Sequence, residues 1–324
     1  MTRPRFAYFR GRTVPYEDAR LGLLTHTLNY GTGAFAGLRG YWNEDEKQLF
    51  VFRPRDHVKR LLDSARLLRM NLPDSAEDLV RAIASLLAAE ELRTNCYVRG
   101  LVFYGDEAIG VRLHGLTPEV AFVAVPFGLY IEKAEGAHLM TSAWRRVDDN
   151  TIPPRGKIIG SYVNSALIKS DAELAGFDEA LVLNSQGQVS EGSGENVFMV
   201  RGGRVVTPPV TSSILEGITR RTVMALLGDE LGVAVDERPI DRTELYLADE
   251  LFLTGTAAQI TAATAIDHRP IGNGQMGPIT TALRRLFLDV VSGRVAKYRD
   301  WCLPVYAATP AQADAAHTKE HVLA

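Results

Sequence analysis

The chain is poor in the residues that would cross-link it or carry it through a membrane. It has two cysteines in 324 residues, Cys96 and Cys302. They stand far apart, so two buried free thiols in a reducing compartment are a simpler expectation than a disulfide. No apolar run reaches the length of a membrane span. The opening MTRPRFAYFRGR lacks the apolar core of a secretory leader. A cytoplasmic location follows as the expectation. A net charge of −3 supplies no general basic field, which argues against a nucleic-acid partner. There is no P-loop, no nucleophile elbow and no cysteine-based zinc ribbon. After Gly31 and Gly33, Ala36 stands where a dinucleotide fingerprint needs its third glycine. Lysine is also scarce: seven of the 36 basic residues are lysine, and arginine supplies the rest. Only a primary amine condenses with an aldehyde, so each lysine kept in such a chain is a candidate for that chemistry.

What is present reads as two α+β units rather than one doubly wound sheet, because strands and helices mix irregularly. FAYFRGRTVPY predicts a short hairpin turning at Gly11, and NYGTGAFAGLRGYW a loop where backbone passes close to something. QLFVFRP, CYVRGLVFYG and EVAFVAVPF predict strands. A helix from Asp56 carries an apolar stripe at Val58, Leu61, Leu62, Ala65, Leu68 and Leu72. Asp74 or Ser75 caps the next helix, and Ser75 to Asp78 has capping-box spacing. The second half restarts with strand 137–144, then a Gly/Pro-bounded loop around Lys157 and a helix over 161–175. EALVLN and QVSEGSGENVFMV predict a hairpin of two strands, GRVVTPP a third and VAVDERPI a fourth. Helices are expected over 217–231 and 277–293, with a short one at DRTELYLA and a buried strand at DELFLTGT. The expected divisions are a small unit over 1–127, a connecting loop over 128–136, a large unit over 137–306 and a flexible tail over 307–324.

By type alone a loop lysine such as Lys157 is usually solvated, and Glu191 in its Gly-Ser-Gly turn is an ordinary turn acid. A pyridoxal phosphate site would use both, an amine for the aldehyde and a carboxylate for the pyridine nitrogen; spacing leaves the choice open. Two segments could hold a phosphate through backbone amides: Gly217-Ile218-Thr219 at a helix start and Gly255-Thr256-Ala257 after a strand. Arg60 could add a guanidinium, or simply pair along its helix. His317-Thr-Lys-Glu320-His321 matches a metallopeptidase signature, but it lies in the tail with no third ligand, so no metal is expected.

Taken together and in order, several stretches resemble the fold-type IV pyridoxal-phosphate aminotransferases, and within them the branched-chain amino acid aminotransferases. They are NYGTGAFAGLRGY, FRPRDHVKRLLDSARLL, YVRGLVFYGDEAIGV, NTIPPRGKIIGSYVNSALIKSDAELAGFDEALVLN, VSEGSGENVFMV, TPPVTSSILEGITRRTV and YLADELFLTGTAAQIT, between about residue 6 and residue 303. The resemblance implies a two-domain fold and ping-pong transfer of an amino group from leucine, isoleucine or valine to 2-oxoglutarate, with pyridoxal 5'-phosphate as cofactor. It implies that Lys157 holds the aldehyde, Glu191 the pyridine nitrogen and Tyr162 the ring's 3-oxygen. Arg60, Ile218, Thr219 and Thr256 would clamp the phosphate. Tyr97 with the amides of Thr256 and Ala257 would hold the substrate α-carboxylate, and Arg99 a distal carboxylate. Phe35, Gly37 and Tyr130 would wall the side-chain pocket. Val111 would reach the neighbouring subunit's site, so a homodimer is implied. Two departures fall near the expected pocket: Ala36 where the family has glutamate, and Gly100 where it has proline. They bear on side-chain preference, and keep open a D-amino-acid or (R)-amine aminotransferase of the same fold. An aminodeoxychorismate lyase and a non-enzymatic cofactor-binding protein are further alternatives.

Overall fold

The computed structural model describes residues 3–128 and 135–307. Tyr130, most of the 128–136 loop, the tail beyond 307 and the His317–His321 motif lie outside those residues.

The first half opens with β1 (Phe6–Phe9) and β2 (Arg12–Pro15), which pair antiparallel across Gly11 at φ +81°, a backbone conformation that favours glycine. The short helix α1 (His26–Tyr30) follows, then β3 (Gly33–Asn43) and β4 (Gln48–Phe52), α2 (Pro54–Leu67), α3 (Ala76–Glu90), β5 (Cys96–Tyr104) and β6 (Pro118–Pro126). Ser75 caps α3 with the reciprocal bonds to Asp78 that its spacing predicts.

The glycine-rich stretch expected to be a loop is instead β3, eleven residues long and buried almost throughout. The tight approach implied by its glycines is real. A Cβ at Gly37 would lie 1.9 Å from the Tyr97 hydroxyl, and one at Gly40 2.6 Å from Cys96 Sγ. Glycine here makes room for side chains of β5 within the sheet, and both faces of β3 are covered, so no alternation marks it as a strand. On one face Ala34, Ala36 and Leu38 pack with Val58, Leu61 and Ala65 of α2 and Leu79, Ile83 and Leu86 of α3.

The second half contributes β7 (Ala137–Arg145), α4 (Tyr162–Leu174), β8 (Glu179–Leu183), β9 (Val189–Gly192), β10 (Asn196–Arg201), β11 (Arg204–Thr207), α5 (Ile218–Leu231), β12 (Val235–Glu237), β13 (Glu250–Gly255), β14 (Gln259–Ile266), the two-residue β15 (Arg269–Pro270) and α6 (Pro278–Val291). Its sheet runs β12-β11-β10-β13-β14-β7-β8-β9, with β15 on β14. QVSEGSGENVFMV, expected as one strand, breaks into β9 and β10 at Ser193-Gly194-Glu195. β9 pairs with β8, whereas β10 pairs with β11 and β13. The break therefore carries the chain from the sheet's edge to its interior, and the curled sheet brings β9 back beside β10. β14 and β15 are additional to the expected elements.

The last strand, β16 (Cys302–Pro304), returns to pair with β4, so the first sheet is completed by the end of the described chain. Phe50 and Phe52 of β4 pack with Phe287 and Val290 of α6 and with Phe198 and Phe252 of the second sheet. This apolar layer joins the two halves beside the site. Both cysteines are buried and free. No helix among the described residues is long and apolar enough to cross a membrane, and no cluster there could hold a metal ion.

Candidate active site

A cavity of about 450 Å³ opens where β3 and β5 face the second half. Its walls come from the middle of those strands, the loop before α4, the 193–196 turn, the start of α5 and the turn after β13. Lys157, Tyr162, Arg60, Ile218, Thr219, Thr256, Ala257, Phe35, Gly37, Tyr97 and Arg99 all line it, so residues separated by more than two hundred positions converge there as the resemblance implied.

The lysine is held by its backbone from the opposite half. The Phe35 amide donates to the Lys157 carbonyl at 2.9 Å, and the Lys157 amide donates to Ser64 Oγ of α2 at 3.0 Å. Nζ meets the Tyr162 hydroxyl and lies 4.8 Å from the centre of the Phe35 ring. Burial, then the Arg60 guanidinium, lower its basicity to about 7, against a partial offset from Glu191. A neutral amine is thus populated near neutral pH. Burial raises the Tyr162 hydroxyl, which keeps it a donor.

Glu191 lies just behind the wall rather than on it. Its Oε1 pairs with Arg146 at 2.8 Å, and its Oε2 accepts from Asn196 Nδ2 at 3.1 Å and the Leu215 amide at 3.0 Å. Burial pushes this carboxyl up, and Arg146 and the Leu215 amide oppose the push. Arg146 went unnoticed in the sequence because nothing local marks it; the pairing forms only when β7 packs beside β8 and its partner β9.

Opposite Lys157 is a cradle suited to an anion. Arg60 is half-buried between this cavity and a neighbouring charged groove, and among the described residues its one hydrogen bond is to the Glu216 carbonyl at 3.3 Å. Burial lowers it to about 10. At the start of α5, Gly217 offers no side-chain cap to the free amides of the first turn. A Cβ at Gly217 would lie 2.0 Å from Asn196 Oδ1, so only glycine lets the helix start that close. The turn after β13 is tied down by Arg39, unremarked in the sequence, whose buried guanidinium donates to the Ala257 carbonyl at 2.9 Å and the Gly128 carbonyl at 2.5 Å. An amine with lowered basicity, a hydroxyl donor beside it, a buried acid behind it and a cationic cradle across from it fit pyridoxal 5'-phosphate.

On the substrate side, Arg99 is exposed and lies over the Phe35 ring at 4.7 Å. Among the described residues no carboxylate pairs with it. Ala36 and Gly100, the two departures, sit directly opposite each other across β3 and β5. Ala36 belongs to the core under α2, and a Cβ at Gly100 would meet Phe122 of that same core at 2.6 Å. They therefore face away from the cavity, whereas Phe35 and Gly37 face into it, so the two departures lie near the pocket, as expected, but behind its wall. Val111 is 79% exposed and touches no part of this cavity.

The family model for amino-transferase class IV matches residues 34–266. A probable branched-chain-amino-acid aminotransferase of Aquifex aeolicus (strain VF5) is 48% identical over 301 residues, 93% of this chain and 97% of the relative. Among solved structures, the branched-chain aminotransferase of Thermoproteus uzoniensis, determined with norvaline, matches with a TM-score of 0.90 at 42% identity, covering 94% of this chain and 100% of that one. The branched-chain amino acid aminotransferase of Thermobaculum terrenum, in its PLP form, matches with a TM-score of 0.89 at 39% identity, covering 94% of this chain and 99% of that one.

Proposed function

The chain belongs to the amino-transferase class IV family, and we propose that it transfers the amino group of leucine, isoleucine or valine to 2-oxoglutarate with pyridoxal 5'-phosphate as its cofactor. The observation that carries this reading is the placement of Lys157: a lysine brought down to about 7, bonded to Tyr162 and set across one cavity from the cradle of Arg60 and the α5 N-terminus.

When bound, the cofactor supplies an aldehyde for amine exchange and a ring that takes up the electron pair of the substrate's Cα–H bond. Lys157 would hold the aldehyde, and its amine, when free, is the group placed to move the Cα proton as general acid and base. Tyr162 would donate to the ring oxygen. Glu191, braced by Arg146, would accept from the ring nitrogen. Arg60 and the amides of Ile218, Thr219 and Thr256 would hold the phosphate. Tyr97 and the amides of Thr256 and Ala257 hold the α-carboxylate, Phe35 and Gly37 face the aliphatic side chain, and Arg99 receives the γ-carboxylate of glutamate. An exposed Arg99 suits that double duty, since it stays hydrated when an aliphatic chain is bound and avoids the cost of a buried unpaired charge.

The working unit is a homodimer. Leu23, Leu28, Ile109 and Val111 are exposed apolar residues on two segments that are bonded together, with the Gly110 carbonyl 2.8 Å from His26 Nε2 and its amide accepted by the Tyr30 hydroxyl. Such a patch on one chain is suited to a second copy. A division at the 128–136 loop, with residues 302–304 returning to the first half's sheet instead of staying in a 137–306 unit, and a cytoplasmic location belong to the same reading; the two free buried thiols fit a reducing compartment.

An initial-rate panel of L-amino acids, D-amino acids and (R)-amines with 2-oxoglutarate tests the function. Turnover of leucine, isoleucine and valine is expected. D-alanine or (R)-1-phenylethylamine as the working donor, with none from leucine, would overturn it. So would p-aminobenzoate and pyruvate formed without an acceptor.

A further inference from the structure

The turn that places Asn196 also carries an acid to which the reading above gives no task. Glu195 is 5% exposed and forms part of the same cavity wall as Lys157. Its Oε2 accepts one hydrogen bond, from the Gly194 amide at 3.1 Å. Among the described residues it makes no ion pair. Near it on β8 is a second acid, Glu179, wholly out of solvent. Glu179 has the local cation: Lys169 Nζ of α4 lies 3.1 Å from its Oε2, and its Oε1 accepts from the Ala180 amide at 2.7 Å. Even so, among the described residues that Oε2 has no donor in hydrogen-bonding geometry. Lys169 is itself divided, since it also reaches the Asp178 carbonyl and lies 3.4 Å from Glu173. Two neighbouring buried carboxyls with one divided ammonium hold less positive charge and fewer donors than two ionised acids need.

We propose that Glu195 and Glu179 form a proton-holding carboxyl pair served by Lys169, and that Glu195 is a positioning residue whose proton sets how much negative charge faces Lys157. The charged groups facing Glu195 are Glu179 from β8, Lys169 from α4 and Lys157 from the loop before α4; Glu191 of β9 is occupied by Arg146. Burial first, and Glu179 second, push Glu195 up to about 8, while the Gly194 amide, Lys169 and Lys157 pull the other way. Below about 8 Glu195 is a neutral acid, and Lys157 feels Glu191 alone among nearby acids. Above it, the new carboxylate favours a positive charge on the Lys157 nitrogen, so that nitrogen gives up its proton over a wider and higher pH range than beside Glu191 alone. The pair thus draws out the deprotonation of Lys157 in a way that Lys157 and Tyr162 would not by themselves. For stability the sign is also set. The folded chain keeps a proton on Glu195 that the unfolded chain releases near 4.5, so stability falls as pH rises from there to about 8.

The effect on Lys157 rests on the proposed role of that lysine; the titration of Glu195 does not. The test therefore has two arms on the full-length, cofactor-loaded protein. Infrared spectra between about pH 6 and about pH 9.5 read the carbonyl stretch of a buried, protonated carboxyl. The wild type is expected to show such a band, fading with a midpoint near 8. Glu195→Gln should lack it, and Glu179→Gln should keep it with the midpoint moved down by about one pH unit, because the second acid is gone and Lys169 is freed. In the second arm, the apparent pKa that the pH profile of kcat/KM for leucine reports for Lys157 should be lower in Glu195→Gln than in the wild type, because the carboxylate that favours its positive charge is gone. A band absent at neutral pH, a band that survives Glu195→Gln, or a midpoint unmoved in Glu179→Gln overturns the pair. An apparent value unmoved by Glu195→Gln, with the expected infrared result, overturns its influence on Lys157. If leucine is not turned over at all, the proposed function fails while the infrared arm still decides the pair. Should Glu195→Gln not fold, the wild type and Glu179→Gln carry the infrared test.

Discussion

Arg146 and Glu191 face each other at 2.8 Å with both side chains about 5% exposed or less. The pair comes from the end of β7 and from β9, on either side of β8. Removing one partner of a buried ion pair leaves an uncompensated charge and costs roughly 3–5 kcal/mol, more than the pair itself contributes. Arg146→Met should therefore lower the urea midpoint of unfolding sharply. Arg146→Met with Glu191→Met should recover a large part of the loss. A single variant as stable as the wild type would show that the carboxyl does not need its arginine.

Lys157 sets a pH slope of opposite sign to that of Glu195. Its folded value is about 7, while the unfolded chain keeps the ammonium to 10.5. Between the two, the unfolded chain binds the extra proton, so this residue makes stability rise with pH from about 7 upward. Below about 7 the folded chain bears the full cost of the buried ammonium. Lys157→Met should abolish turnover and, in the cofactor-free protein, flatten that rise when urea unfolding is followed across the window. A slope identical to the wild type would place the lowered amine elsewhere.

Gly37 tests how closely the cavity wall is drawn. An alanine methyl there would lie 1.9 Å from the Tyr97 hydroxyl, and the Tyr97 ring is already braced by Phe127 at 5.2 Å between centres. Gly37→Ala should swing the hydroxyl away from the α-carboxylate position. The loss of one hydrogen bond to a charged group, about 1.5–3 kcal/mol, should appear as a raised KM for every donor, with smaller change in kcat. An effect confined to leucine would assign Gly37 to the side-chain pocket alone.

Arg99→Ala should separate the two half-reactions. Glutamate should lose about 2–3 kcal/mol in kcat/KM, and leucine far less. Equal losses would mean that Arg99 does not read the distal carboxylate.

The apolar patch predicts the assembly. Leu23 is 85% exposed and Val111 79% exposed in the single chain. Leu23→Glu with Val111→Glu should convert a dimer to a monomer in light scattering. A monomeric wild type would remove the need for a partner at Val111.

Much of this was readable from local pattern. The Gly11 hairpin, the Ser75–Asp78 cap, the apolar stripe of α2 as far as Ala65 and the start of α5 at Gly217 each depend on neighbours within a few positions, and each formed as expected, whereas Leu68 and Leu72, expected to continue the stripe, lie past the helix end at Leu67. The resemblance named Lys157, Tyr162, Arg60, Tyr97 and Arg99, and the fold brings them to one cavity. The misreadings share a cause. Glycine in β3 read as a loop because the signal for a strand is its own side-chain pattern, whereas here the side chains that fill the space belong to β5. The 188–200 segment read as one strand because both of its pieces favour β structure, and only the separate partners of β9 and β10 divide it.

Left to itself, the order of residues determined which groups were available: one amine in a Gly/Pro-bounded loop, acids in a Gly-Ser-Gly turn, and uncapped amides where helices begin. Tertiary structure decided what each group meets. It turned Phe35 and Gly37 toward the cavity and Ala36 into the core, set Ala36 against Gly100, gave Glu191 its arginine and Glu179 its lysine, and left Glu195 with neither. The physical reason is range. Helix caps and turns are set by bonds a few residues long, but a buried charge takes its energy from whatever long-range strand pairing places beside it.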